Sequence, residues 1–146
     1  MAFLPYSADV DKSIPNEYHP AEAGVYRVGQ ALYFEDGVLK TASGTDAARY
    51  ICVQEARDHE EGAPLAAHRI DPDVRYQTTA AIAPTVGNGY DVAAGGLSLD
   101  SSTSTANFTV DMAWDLNGVH WAVGRFIDDL SGRLSDIETR LEAVEP

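Results

Sequence analysis

The dipeptide Asn117-Gly118 lies between two runs of alternating character, Phe108-Thr109-Val110-Asp111-Met112-Ala113-Trp114 and Val119-His120-Trp121-Ala122-Val123. Asn-Gly accepts positive φ at both central positions of a two-residue turn, whose twist matches that of paired strands. The pattern predicts a β-hairpin, and nothing else in the middle of the chain constrains the fold as strongly. Glu35-Asp36-Gly37, between Ala31-Leu32-Tyr33-Phe34 and Val38-Leu39-Lys40, repeats the signal.

Other short runs fit the same architecture. Arg49-Tyr50-Ile51-Cys52-Val53-Gln54 reads as a central strand, with Cys52 a small buried hydrophobe. Gly62-Ala63-Pro64 breaks the chain before Leu65 to Ile70, and Val74-Arg75-Tyr76-Gln77-Thr78 has the two-residue period of a half-buried strand. Gly87-Asn88-Gly89 precedes Tyr90-Asp91-Val92, and Ala94-Gly95-Gly96 precedes Leu97-Ser98-Leu99. Ser101 to Thr105 reads as a polar loop. Short strands at roughly ten-residue spacing predict a mainly β domain over residues 24–126, a small β-barrel or sandwich. Asp58 to Glu61 is expected to be a solvated turn.

Residues 1–23 carry Pro5, Pro15 and Pro20 and show no strand or helix period. Proline fixes φ and removes a donor, so the segment is expected to be an extended N-terminal arm. It would be a loose tail in the free chain and order against a partner surface.

Residues 127–146 differ in kind. Ile127, Leu130, Leu134, Ile137, Leu141 and Val144 are spaced alternately three and four apart, an a/d heptad seam. A helix docked on its own domain has a broader apolar face. Here the e positions are Ser131, Glu138 and Glu145, and Arg133 and Arg140 occupy g. In parallel chains Arg133 faces Glu138, and Arg140 faces Glu145, of the neighbour. Leu134 at a with Ile137 at d shifts preference from dimers toward trimers and tetramers. Arg133 to Glu138 and Arg140 to Glu145 also resemble, twice and in register, the Arg-apolar-x-x-apolar-Glu pattern of short parallel trimeric coiled coils. The expected homotrimer interface is therefore Ile127, Leu130, Arg133, Leu134, Ile137, Glu138, Arg140, Leu141, Val144 and Glu145. A helix over these residues is only about 30 Å long. Such a coil is marginal by itself, so the β domains are expected to associate too.

Charge narrows the partners. The 146 residues include 23 acidic and 10 basic side chains, a net charge of −13. A nucleic-acid footprint needs a clustered basic face, and an anionic membrane surface would repel the chain. No apolar run approaches the length of a membrane span. The first residues lack the basic and apolar regions of a signal peptide, so synthesis in a cytoplasm is expected. With one cysteine, an intrachain disulfide is excluded.

No catalytic or cofactor site is expected. His59-Glu60-Glu61 is an adjacent trio that does not converge on an ion, and Asp71-Pro72-Asp73 lacks the spaced ligands of a calcium loop. His19, His68 and His120 are isolated, with His120 facing away from Val119 and Trp121 on its strand. Cys52 lacks the electropositive niche of a nucleophile. No serine lies in a Gly-x-Ser-x-Gly elbow, and the glycine turns lack the following helix of a phosphate cradle.

The order of parts adds a resemblance. Tyr18-His19-Pro20-Ala21 is followed by Gly29 to Lys40, then by Ala42-Ser43-Gly44-Thr45-Asp46 leading to Tyr50-Ile51-Cys52-Val53. Gly62 to Ile70, Gly87 to Val92 and a last strand ending in Gly124-Arg125-Phe126 complete it. Across residues 18–126 this resembles the β-rich head decoration (cement) proteins and head-fibre base domains of tailed bacteriophages. The resemblance implies a structural virion protein, commonly trimeric, that binds the major capsid protein on the outer surface of a shell. The polar loop and the coiled-coil tail depart from the plain pattern, and no binding residue carries over. The alternative is a trimeric fibre or adhesin module binding a cell-surface glycan. There Trp114 and Trp121 would stack on sugar, although core or cross-strand packing is the simpler expectation for them.

Overall fold

The computed structural model describes residues 2–8, 15–44, 46–71, 73–101, 103 and 106–126. Twelve strands run through them: β1 (Leu4–Ala8), β2 (Asn16–Pro20), β3 (Gly24–Tyr26), β4 (Ala31–Glu35), β5 (Val38–Thr41), β6 (Tyr50–Cys52), β7 (Ala56–His59), β8 (Pro64–Arg69), β9 (Val74–Ala80), β10 (Gly89–Tyr90), β11 (Phe108–Leu116) and β12 (Val119–Phe126). The protein is mainly β, with no helix among the described residues.

One five-stranded sheet has the order β1-β9-β12-β11-β10 and a second has β2-β8-β6-β4-β5. A two-stranded ribbon joins β3 to β7. Every ladder is antiparallel. Both expected hairpins form. The turns carry φ of 54° and 80° at Asp36 and Gly37, and of 52° and 77° at Asn117 and Gly118, the left-handed pair that such turns require.

Alternation along the second sheet explains its heavy burial. Ala31 and Ile51 pack into a core shared with the first sheet, where Phe3, Tyr76, Phe108, Val110 and Phe126 are found. Leu32, Tyr50, Cys52, Leu65 and Ala67 point the opposite way and join Ala21, Tyr26 and Ala56 of the neighbouring segments and ribbon. With both faces covered, all three residues of β6 are buried, as are Leu65 to His68 of β8.

The shared core is aromatic at its centre. Phe3 lies 5.6 Å from Phe108 and 5.0 Å from Phe126, and Tyr76 lies 5.3 Å from Phe126, ring centroid to centroid. The rings meet tilted or edge to face, which their quadrupoles favour.

The structure departs from the sequence expectations in three ways. First, neither five-stranded sheet closes, so there is no barrel. The edges of the second sheet, β2 and β5, meet only at one isolated parallel bridge just past Pro20, between Ala21 and Leu39, and not through a ladder. Second, the described residues of the 1–23 segment are extended but built into the sheets: β1 pairs with β9 and β2 with β8. Phe3 is 0 % exposed, and its N–H donates to the Gly29 carbonyl at 2.8 Å. Gly29 has φ +85°, and a Cβ there would meet Ala2 and the Phe3 backbone, so the chain start and this glycine fit as a unit. Third, Asp58 and His59 belong to β7 rather than to a solvated turn. Gly24, which has no side chain, pairs with His59 there, so no alternation marks the ladder. The coiled-coil expectation over residues 127–146, with all of its interface positions, lies outside the described residues.

Candidate functional site: the outer face of the first sheet

The register of β9, β11 and β12 decides which side chains look outward. Val74 and Tyr76 of β9 and Ala122 and Phe126 of β12 face the core. Phe108 and Val110 of β11 do so too, but a register shift between Val110 and Met112 inserts a bulge at Asp111. A bulge reverses the facing of everything beyond it. Ala113, opposite Ala122, now packs on the core, while Met112, Trp114 and Leu116 turn outward.

Their cross-strand partners share that face: Val123 opposite Met112, Trp121 opposite Trp114, and Val119 opposite Leu116. Leu4 of β1, paired with Gln77 beside Val123, extends it. Leu4, Met112 and Leu116 are 48 %, 47 % and 56 % exposed. The indoles of Trp114 and Trp121 stack with centroids 6.3 Å apart and planes 8° from parallel, and both are half-buried. They form the cross-strand pair expected for them.

Charge at the bulge end is balanced internally. Asp111 Oδ2 lies 3.4 Å from Nε of both Arg75 and Arg125. These are ion-pair distances, and the oxygen is buried without a hydrogen bond. The two arginines thus hold the bulge residue in place, Arg125 from the adjacent β12 and Arg75 from β9 one strand further on. At the hairpin end, Asp115 and His120 pair at 2.6 Å on the opposite side of the sheet from the indoles, so His120 faces away from Trp121 as expected.

A second aromatic group lies on the second sheet. His19, Phe34 and Tyr50 have ring centroids 5.0 to 5.4 Å apart. Arg69 lies over Tyr50 at 5.7 Å and donates to its hydroxyl at 3.2 Å. Glu17 takes His19 at 3.0 Å and Arg69 at 3.6 Å. These groups satisfy one another and serve to pin the β2 edge.

The remaining candidates go to structural partners. His59 Nε2 lies 2.8 Å from the Ala63 carbonyl, with its ring against Tyr26. Glu61 accepts from the Ala23 N–H at 2.7 Å. Asp71 accepts from the Asp73 N–H at 2.9 Å in a local turn. His68 is buried, its ring stacked on Tyr76 and its Nε2 3.1 Å from the Tyr76 hydroxyl. Burial pushes the His68 pKa below its ordinary value and that of Tyr76 up to about 12. Cys52 is a free, fully buried thiol whose pKa burial raises, and its Sγ donates to the Gln54 carbonyl at 2.9 Å. Among the described residues no three His, Cys, Asp or Glu side chains group as metal ligands.

Sequence reasoning missed the outward turn of Met112 and Leu116. Strict alternation from Phe108 would have carried both into the core. The only hint was Asp111, a charge where the alternation gives no reason to prefer one polar residue over another.

Comparison with protein-family models, curated proteins and solved structures finds no match to this chain.

Proposed function

We propose that this chain is a structural virion protein, a homotrimeric decoration (cement) protein that binds the outside of a tailed-bacteriophage capsid and stabilises it. One observation carries the reading: an open two-sheet β domain whose last strand ends at Phe126, followed in the sequence by heptad-spaced apolar residues with two Arg-apolar-x-x-apolar-Glu repeats. In this reading the β domain is a sandwich and residues 127–146 are a parallel trimeric coiled coil. A binder that buries surface on an assembled shell, and not on free subunits, shifts equilibrium toward assembly. The acidic surface keeps particles apart and away from nucleic acid.

The test adds purified protein to capsids stripped of accessory proteins, followed by imaging and a heat challenge. Density at threefold or quasi-threefold positions and a raised disruption temperature are expected. No binding across capsids from the phage that encodes the chain would refute the reading. The trimer is tested separately by Leu134→Asp with Ile137→Asp, which would place six charges in the seam and dissociate it.

The stacked, half-buried pair Trp114 and Trp121 favours the second reading, a fibre or adhesin module that binds a glycan. Binding to immobilised host-surface glycans, lost in Trp121→Ala, would support it.

A further inference from the structure

We propose that the outer face of the β1-β9-β12-β11-β10 sheet is where the β domains of neighbouring copies of this chain meet. The inference deepens the trimer part of the reading above and does not depend on a capsid.

Three observations select the occupant. The first is the composition of the face. Leu4, Met112, Trp114, Leu116, Val119 and Trp121 share it, and three of these are about half exposed. Tryptophan and methionine are enriched where proteins meet, and lysine and glutamate are depleted there. The second is charge. In a chain of net charge −13, copies repel one another and must meet where acid is scarce. The outward positions of β9, β11 and β12 carry one carboxylate, Asp111, already set between Arg75 and Arg125.

The third observation is continuity. β12 lies in the middle of the sheet and ends at Phe126, and the heptad seam starts at the next residue. Chains joined along that seam have their three β12 ends gathered at one axis. The strand nearest the axis then carries Trp121 on its outward side. A sheet of this kind also supplies enough surface. β11 is nine residues long, or roughly 30 Å, and four strands about 4.8 Å apart make a face of several hundred Å². With the coil added, this reaches the scale of about 800 Å² per partner that stable interfaces bury.

The chain contains two tryptophans, and both lie in this face. Indole emission therefore reports on it alone. The experiment uses the full-length chain. Met112→Glu with Leu116→Glu alters exposed side chains and leaves the seam residues intact. Sedimentation of a dilution series should show self-association at least ten-fold weaker than in the wild type. The control, Val25→Glu with Val28→Glu, changes residues equally exposed elsewhere and should leave association unchanged. In the wild type, acrylamide quenching should be low in the assembled state and rise on dilution. Retained stacking of the indoles, read by near-ultraviolet circular dichroism, shows that the variants fold.

Other results overturn the proposal. An assembled wild type whose tryptophans are freely quenched, and whose association survives the charges, is held by residues 127–146 alone. A monomer with shielded tryptophans assigns the face to residues 127–146 of the same chain. A monomer with open tryptophans leaves it to another partner, a glycan included. A trimer that behaves as expected but never binds a capsid refutes the decoration reading and leaves this one standing.

Discussion

Replacing Phe3 by alanine tests whether the start of the chain is an appendage or part of the core. Phe3 is 0 % exposed and touches the rings of Phe108 and Phe126, residues from the other end of the described chain. Losing the buried ring forfeits about 2–3 kcal/mol of transfer free energy. A cavity of roughly 80–100 Å³, at about 24 cal/mol per Å³, adds about 2 kcal/mol if the neighbours do not collapse. The sum, about 4–5 kcal/mol, falls within the usual range of about 3–5 kcal/mol for such a change. For a chain of this length each kcal/mol moves the melting temperature by about 3–4 °C, so a drop of about 12–20 °C is expected. Melting should be followed by circular dichroism on full-length protein at one fixed concentration, since self-association shifts the midpoint. Phe3→Leu, which keeps most of the volume, should lose much less. A drop below about 3 °C for Phe3→Ala would refute the packing and return residues 1–8 to the status of a tail.

His68 should make the fold acid-sensitive. Its unfolded imidazole titrates near 6.5 and burial lowers the native value, so the folded state binds fewer protons between the two. Stability is then full above about pH 6.5 and falls as pH drops from there through the lowered native pKa. The urea midpoint should be lower at pH 5 than at pH 7.5, with less difference in His68→Gln; an equal difference would assign the effect elsewhere. Gly124→Ala should destabilise by about 1–3 kcal/mol, because a Cβ there would meet the Phe108 ring at 2.8 Å and the Thr109 carbonyl. A midpoint matching the wild type would show that β11 can shift aside. Cys52 should react with thiol reagents only as the protein unfolds, and rapid labelling in native buffer would contradict its burial.

Local chemistry was legible where one short stretch decided the outcome. Asp36-Gly37 and Asn117-Gly118 specify their turns through φ alone. The β6 run of Tyr50-Ile51-Cys52 was readable as central because residues apolar on both faces need cover on both. What escaped depends on distant partners. Leu4 to Ala8 has no period of its own, and β9 supplies the ladder that makes it a strand. Ala56 to His59 is polar and owes its pairing to the ribbon with β3. Sheet closure was illegible for a related reason: alternation tells a strand which face is apolar, not whether the outermost strands meet. The outward face of β11 turned on a single inserted residue, which hydropathy does not record.

The position of β1 sets a timetable for folding. Its ladder partner is β9, and Phe3 rests on two rings that the ribosome adds more than a hundred residues later. At about 5–20 residues per second, the Phe3 ring waits roughly 5–25 s before its aromatic neighbours exist, although β9, the ladder partner of its strand, is complete sooner. During that wait the second sheet can assemble through β8, since its members all lie before residue 70. The first sheet has no such option, and its long-range pairings make it the slow half of folding. Chains stalled or cut before the Asn117-Gly118 hairpin would hold β1 on β9 but lack β12, leaving one long edge of β9 open and Phe3 without its aromatic neighbours, an exposed edge that invites pairing between chains. Quality control during synthesis would therefore act on the last hairpin, which completes the sheet and closes over the beginning of the chain.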